Sequence, residues 1–304
     1  MTSSSELPAA VTWARLQTFL TVYGAGSVRA AAEALHVTPP AVSAAIAALE
    51  SALGTVLFTK SGRGIVPTDA GATFAPYARK LLGLLREAAG AVHEADRGRV
   101  RIGAVATAGE YVLPALIASF AAHHPQVELS LSVLPRDELF ALAADHAVDV
   151  ALAGRPPRGA GGLVTRARRP NRLVLVGRPG LVGDPLTATW LLTGQGSGTR
   201  NTTMSLLTRL QAAPPLLTLG TSGAAVAAAR QGLGVTLVHE EAARGALESG
   251  ELAVHPVAGT PLDRPWHLCT SAEPTAATRL FVRHVCDGER VGGAAFHTLS
   301  RPRG

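Results

Sequence analysis

Residues 196–200 read Gly-Ser-Gly-Thr-Arg, and this segment is well suited to holding an anion. It follows the apolar run Trp190–Leu191–Leu192, which has strand character, and opens a helical pattern through Met204 and Leu210. Glycine permits close backbone approach, and free N–H groups at a helix start attract negative charge. The hydroxyls of Ser197 and Thr199 flank Gly198, and Arg200 can add a charge-assisted bond. A plain capped helix start after a loop fits the same residues. Two further helix starts carry hydroxyls. Thr107 follows the strand-like run Val100–Val105, and Thr221–Ser222 precedes the helical stretch Ala224–Arg230. Three such starts converging on one cleft would suit a carboxylate or a phosphate ester. Arg136 and Arg155 are candidate rim charges, with solvated surface positions as the alternative.

No catalytic set accompanies these residues. The glycine segment is not a P-loop, since no Gly-Lys-Ser/Thr follows it, and residues 194–201 lack GxGxxG. Ser197 does not sit in a GxSxG elbow. His93, His239, His255 and His267 are scattered without metal-ligand spacing, and His123–His124 adjoin Pro125 at a helix end. No catalytic residue, metal site or cofactor is expected, and an enzyme is the weaker reading. Cys269 and Cys286 form neither a CxxC pair nor a disulfide framework, so a reducing compartment is the default. Cys269 lies in the strand-like Trp-His-Leu-Cys-Thr, two residues from His267, and Cys286 lies near a helix end. A thiol-based redox sensor on Cys269 and Cys286 needs a low-pKa thiolate and a resolving partner. Buried inert thiols are the alternative.

A second constellation lies near the N-terminus. Ser27 can cap a helix whose face carries Ala31, Ala32 and Leu35, and His36–Val37 break it. Thr38 caps the next helix, with Pro39 and Pro40 in its first turn, where a missing N–H costs nothing. Val42, Ile46, Leu49 and Leu53 give that helix a buried stripe. Two short, close helices with small alanines at the crossing form a helix-turn-helix, although an alanine-rich hairpin can also be pure structure. The second helix would enter a major groove with Thr38, Pro39, Pro40 and Ser43. Hydroxyls can bond a base edge or a phosphate, and Pro and Ala can touch a thymine methyl. Ser27 and Arg29, at the start of the first helix, join these candidate contacts. Val56–Thr59 and Gly64–Val66 can pair across Ser61–Gly62–Arg63 into a wing, whose Lys60 and Arg63 suit backbone or minor-groove contact.

These residues need scaffolds. The chain has 304 residues, enough for two or three domains, and 47 % of them are apolar, enough for a real core. The net charge is +6, but residues 1–64 hold four basic and three acidic residues, a net of +1. Residues 65–98 balance at four each, and residues 99–304, with 20 basic and 15 acidic, hold the surplus of +5. Any DNA contact by the N-terminal part must therefore work by local placement. Residues 1–10 read as a loose tail, 11–67 as short helices and a hairpin, and 68–97 as one long helix capped by Thr68 and Asp69. In that helix Phe74, Ala78, Leu81, Leu85, Ala88, Val92 and Ala95 follow a heptad spacing. A helix–helix dimer seam is one reading of it, an ordinary amphipathic helix the other. From Val100, strand-like runs (Val127–Val133, Val148–Ala153, Leu173–Val176, Val235–Val238) alternate with helical ones, which indicates an α/β domain with largely parallel sheets. Asp287–Gly304 reads as a frayed end. No apolar run approaches the roughly 20 residues of a membrane span, so a soluble cytoplasmic protein with no membrane partner is expected.

Residues 16–71 resemble the DNA-binding domain of LysR-type transcriptional regulators. The match runs through Gly26–Ser27, Ala31–Ala32, Leu35, Pro40–Ala41–Val42–Ser43, Ile46, Leu49–Glu50, Leu53–Gly54, Leu57–Phe58 and Thr68–Asp69–Ala70–Gly71. Residues 99–287 resemble the regulatory domain of that family through Arg101–Ile102–Gly103, Thr107, Leu113–Pro114, Phe120, Pro125, Asp149–Val150–Ala151 and Gln231–Gly232–Leu233–Gly234–Val235. Pro135–Arg136, Gly154–Arg155–Pro156–Pro157 and Gly196–Arg200 resemble its carbon-fixation (RuBisCO) operon branch. The resemblance implies an α/β protein with an all-α winged helix-turn-helix head over 11–67, a dimerising linker helix over 68–97 and a two-lobed, periplasmic-binding-protein-like effector domain over 99–287. It implies that the 196–200 helix start faces the cleft. It also implies an interrupted palindromic operator in double-stranded DNA, a homodimer or homotetramer, and a small anionic effector. Two departures concern DNA: Pro39 stands where the family usually has Gln, and Lys60 where it usually has Arg. A third concerns the effector, since Thr193–Gly194–Gln195 replaces an Arg-Glu-Pro.

Overall fold

The computed structural model describes residues 11–62, 64–91, 98–157, 162–181 and 183–299. The expected tail, the wing residue Arg63 and the heptad positions Val92 and Ala95 lie outside the described residues. The chain divides into two compact units, residues 1–92 with 145–147, and the remainder.

The first unit is built from α1 (Trp13–Ala25), α2 (Val28–Leu35), α3 (Pro39–Leu53), the hairpin β1 (Phe58–Ser61) and β2 (Gly64–Pro67), and α4 (Asp69–Ala91). Its caps are local. The Thr12 hydroxyl accepts from the Arg15 N–H and the Ser27 hydroxyl from the Ala30 N–H, both at 3.4 Å. His36, at φ 54°, ends α2 in the left-handed region, and Gly54, at φ 66°, ends α3 the same way. Ala31 and Ala32 are buried where the helices cross, and Val42 and Leu49 complete the core beneath them. Phe19 sits at its centre, with the rings of Phe58 and Phe74 at 5.3 and 5.2 Å. The wing begins two residues later than the pattern suggested. Glu50 Oε1 accepts from the N–H groups of Leu57 (2.7 Å) and Phe58 (3.2 Å), and the Val56 carbonyl accepts from the Thr68 hydroxyl. The backbone at 56–57 is thus tied to α3 and to the start of α4, and pairing starts at Phe58. A Cβ on Gly71 would collide with the Leu57 carbonyl, so the turn into α4 requires glycine there.

The heptad of α4 splits between two surfaces. Ala78 is fully buried and Phe74 packs on Phe19, so these two serve the core of the head together with Ala75 and Leu82. Tyr77, Leu81, Leu84 and Leu85 are exposed at 45–62 %. The reason is that the first turns of α4 lie against α1.

Among the described residues the second unit carries two larger sheets and a two-stranded one. The first contains β3 (Arg99–Ala104), β4 (Glu128–Val133), β5 (Val150–Ala153), β6 (Leu163–Arg169), β13 (Trp266–Ser271) and β14 (His297–Thr298), in the order β14-β6-β13-β5-β3-β4. The second centres on β7 (Arg172–Gly177), flanked by β10 (Thr236–His239), β11 (Ala253–Val254) and β12 (Leu262–Asp263). Beside it β8 (Trp190–Thr193) pairs in parallel with β9 (Leu216–Gly220), and Trp190 bridges to Val235. The pairing is not largely parallel: the first sheet is mixed and the sheet around β7 is antiparallel. β3 runs parallel to β4 and β5, while β13 is antiparallel to β5 and β6, and β7 to β10. The chain crosses between the sheets twice, between β6 and β7 and between β12 and β13, so outgoing and returning strands oppose each other. Asn171 ties the two crossings: its Nδ2 donates to the Arg264 carbonyl (2.7 Å) and to His239 Nδ1 (2.6 Å). His239 stacks on Trp266 at 4.5 Å, and burial, then the Arg264 charge, pushes its pKa down to about 4.

Helices cover the sheets: α5 (Ala106–Tyr111), α6 (Leu113–His123), α7 (Arg136–Ala144), α8 (Gly198–Arg209), α9 (Ser222–Arg230), α10 (Glu240–Glu248) and α11 (Ala276–Val285). Phe120, Phe281, Leu268 and Trp266 form the centre of the first sheet's core, and Val176, Leu191 and Val238 that of the second. Among the described residues no single helix is long and apolar enough to cross a membrane. Only α2 and α3 taken together reach that composition, and they are bent by 106°, as the helix-turn-helix requires.

Candidate functional site

The residues expected to face DNA can be placed one by one. Ser27 and Thr38 are the N-caps of α2 and α3, and the Thr38 hydroxyl makes no capping bond. It is therefore spare for a ligand. Thr38, Pro39, Pro40 and Ser43 are all exposed on the first turns of α3, as are Ala41 and Ala44. The one acidic side chain of α3, Glu50, is turned to the backbone of Leu57 and Phe58. The exposed face of α3 consequently carries no charge. Arg29 is exposed on α2 and forms a surface pair with Glu33 at 3.2 Å, an interaction of little stabilising worth that DNA phosphate can replace. Lys60 is exposed on β1, opposite Ile65.

In the second unit, β3, β8 and β9 each run straight into a helix, α5, α8 and α9. Helix starts beyond the carboxyl ends of parallel strands are where α/β sheets bind ligands. Thr107 and Ser222 come together there: their hydroxyl oxygens lie 3.4 Å apart although 115 residues separate them in the chain. Each residue is only 7 % exposed. Thr221 is committed to capping, accepting from the Ala224 N–H at 3.1 Å. The parallel pairing of β8 with β9 places the starts of α8 and α9 side by side, and the Gly194 N–H donates to the Gly220 carbonyl at 2.7 Å.

The Gly-Ser-Gly-Thr-Arg segment opens α8 as expected, with Ser197 as N-cap and Gly198 as first helical residue. Its side chains are engaged internally. The Ser197 hydroxyl accepts from Thr193 at 2.9 Å. Arg200 Nη1 donates to the Thr193 carbonyl (3.2 Å) and the Thr218 hydroxyl (3.0 Å), clasping β8 to β9. Thr199 is buried. Because the Ser197 side chain makes no capping bond, the first N–H groups of α8 remain the anion-attracting part. Arg136 is likewise engaged: it donates to the Arg155 carbonyl at 2.7 Å, pairs with Asp137 at 3.0 Å and covers the Phe140 ring. Arg155 keeps an exposed side chain. Residue patterns gave no sign of Tyr111, whose hydroxyl would lie 3.2 Å from a Cβ on Gly223, next to Ser222.

Residues 13–72 match the family described as bacterial regulatory helix-turn-helix protein, lysR family, and residues 93–288 match the LysR substrate binding domain. The chain belongs to the LysR family. It is 34 % identical over 271 residues to the HTH-type transcriptional regulator CfxR of Cupriavidus necator, covering 85 % of each chain. It is 34 % identical over 274 residues to the regulator CbbR of Sinorhizobium medicae, covering 83 % of this chain and 84 % of that one. Full-length OxyR from Pseudomonas aeruginosa shares the fold with a TM-score of 0.70 at 20 % identity, over 96 % of this chain and 99 % of that one. This LysR-family chain is thus a DNA-binding transcriptional regulator with an effector-binding domain, not an enzyme.

Burial disfavours the thiolate form at both cysteines. Burial pushes Cys269 up, opposed by a hydrogen bond from Thr165, and burial pushes Cys286 up to about 11. The His267 ring is committed to the Pro265 carbonyl at 3.0 Å. A Cys269→Ser/Cys286→Ser chain should bind operator DNA like the native chain before and after peroxide. Gel shifts with and without hydrogen peroxide check this, and a peroxide response lost only in the variant would restore the thiol reading.

Proposed function

We propose that this regulator binds an interrupted palindromic operator as a homodimer or homotetramer and takes a small anion in the cleft at Thr107 and Ser222. The buried pair of hydroxyls at 3.4 Å carries this reading. Those hydroxyls come from two distant segments, each at the start of a helix, and the uncapped start of α8 lies beside α9. Ser197, Gly198 and Thr199 contribute backbone, Arg200 and Thr221 hold the frame, and Arg155 supplies charge; Arg136 fixes the Arg155 backbone. The DNA side uses Ser27, Arg29, Thr38, Pro39, Pro40, Ser43, Lys60 and Arg63. A relative from Allochromatium vinosum, 32 % identical over 267 residues, is named RuBisCO operon transcriptional regulator, which makes carbon metabolism the first place to look for the target. Effector binding acts by shifting an equilibrium between two states with different operator affinity.

A thermal-shift screen of the full chain against short carboxylates and phosphate esters tests this. A ligand at 100 times its Kd stabilises by about 2.7 kcal/mol. Thr107→Val with Ser222→Ala should abolish the shift. A shift given only by uncharged or aromatic compounds, or one that survives both substitutions, removes the anion cleft and leaves the DNA-binding assignment standing.

A further inference from the structure

We propose that the regulatory unit holds a second small-molecule site, where the chain crosses between its two sheets, and that this site takes a small organic anion. A cavity of about 890 Å³ opens there, and ligand pockets span roughly 300–1,000 Å³. It is walled by the β6–β7 crossing, the β12–β13 crossing, the first turns of α10 and residues 293–299, and it shares no residue with the Thr107–Ser222 cleft.

Its charges are incompletely matched. Arg169 pairs with Glu241 at 3.4 Å, both side chains nearly buried, and Arg172 pairs with Glu240 at 3.0 Å. Arg168 and Arg244 also line the cavity, both are exposed, and neither has an ion pair or side-chain hydrogen bond among the described residues. Asp263 is the remaining carboxylate on the wall, so four arginines face three acids, a net of +1. Arg244 also acts on Arg169, whose pKa is lowered first by burial, against the pull of Glu241, and further by the Arg244 charge. An anion placed between these arginines relieves that repulsion, and the guanidinium fork suits carboxylate or phosphate.

Two polar atoms beside the cavity, Asn171 Oδ1 and Glu241 Oε2, are buried without a hydrogen-bond partner and have almost no surface open to it, so the arginines specify the ligand. Free arginines ask for an oxyanion, and a carboxylate and a phosphate ester both fit. Since Arg168 belongs to the first sheet and Arg244 to the helix that follows β10, such a ligand would join the two sheets directly.

Equilibrium dialysis of the full chain tests the site, with citrate and glycerol 3-phosphate as probes. At least one probe should bind at one equivalent per chain. Arg168→Ala and Arg244→Gln should each weaken it at least tenfold, while Thr107→Val/Ser222→Ala leaves it unchanged. Arg168→Lys should recover part of the binding, which separates loss of charge from loss of fold. Citrate alone binding assigns a carboxylate, and glycerol 3-phosphate alone a phosphate ester. The proposal fails if neither probe binds, if both arginine variants bind like the native chain, or if the cleft variant abolishes binding.

Discussion

A chain carrying Leu81→Asp and Leu85→Asp should sediment as a monomer and bind operator DNA at least about a hundredfold more weakly than the native chain. Tyr77, Leu81, Leu84 and Leu85 form an exposed apolar stripe along α4, each 45–62 % accessible. Burying a leucine stabilises by about 1.5–3 kcal/mol, so two copies facing each other gain several kcal/mol from this stripe alone. An aspartate at each position removes that gain and sets like charges across the seam. Both sites are exposed in the single chain, so the head itself keeps its core of Phe19, Leu49 and Ala78. The effect on DNA follows from linkage. Joining two binding heads raises apparent affinity by roughly 10²–10⁴ without any new contact, and one head with a neutral reading helix has few strong contacts to lose. Analytical ultracentrifugation and fluorescence anisotropy measure both parts. A variant that remains dimeric would place the seam elsewhere.

Asp149→Ala should destabilise the regulatory unit by about 3 kcal/mol, the lower end of what removing one partner of a buried pair costs. Asp149 Oδ2 accepts from the Arg101 backbone N–H at 2.7 Å and from its Nε at 3.0 Å, and Oδ1 accepts from Nη2 at 2.7 Å. The two side chains are 18 % and 11 % exposed, which is why the lower end applies. The bonds fasten the entry of β5 to β3, at the middle of the first sheet, and alanine leaves the arginine without this acceptor. For a unit of this size the melting transition should fall by roughly 6–12 °C. Asp149→Asn, which keeps the acceptor for the backbone, should lose less than half as much. Differential scanning calorimetry of the full chain separates this transition from that of the head. A fall shared equally by both transitions would contradict the local account.

Much of this was readable from residues because it is encoded locally. Ser27, His36–Val37, Thr38 and Pro39–Pro40 mark helix ends through backbone chemistry that acts within four residues, and α2 and the start of α3 lie where those marks put them. The strand-like runs at Val100, Val127, Val148, Leu173 and Val235 all became strands; four are largely buried, while β4 alternates apolar with polar residues and lies exposed at the edge of its sheet. Sheet direction was less legible, since the two crossings at 170–171 and 264–265 are decided by tertiary packing. The heptad was partly misleading: α4 uses one apolar pattern for two surfaces, and spacing alone cannot say that Phe74 and Ala78 turn inward. Arg200 and Arg136 looked like ligand charges by residue type. Their partners, Thr218 and the Arg155 carbonyl, lie 18 and 19 residues away, beyond any local pattern. Thr107 and Thr221–Ser222 read as separate helix starts, and only the fold sets the Thr107 and Ser222 hydroxyls against each other. The crossing cavity had no sequence signal at all, since Arg168, Asn171, Arg244 and Asp263 come from separate elements.

The uncharged face of α3 has a consequence for where this protein spends its time in a cell. Attraction to random DNA is almost wholly a matter of cations exchanging with counterions along phosphates. Residues 1–64 carry a net charge of only +1 and the exposed face of α3 carries none, so the head makes a poor ligand for arbitrary sequence. Genomic decoys, which outnumber an operator by roughly a millionfold or more, therefore sequester little of it. The pool that remains free is the pool that an effector can act on, so a modest ligand preference is transmitted to the promoter instead of being absorbed by bulk chromosome.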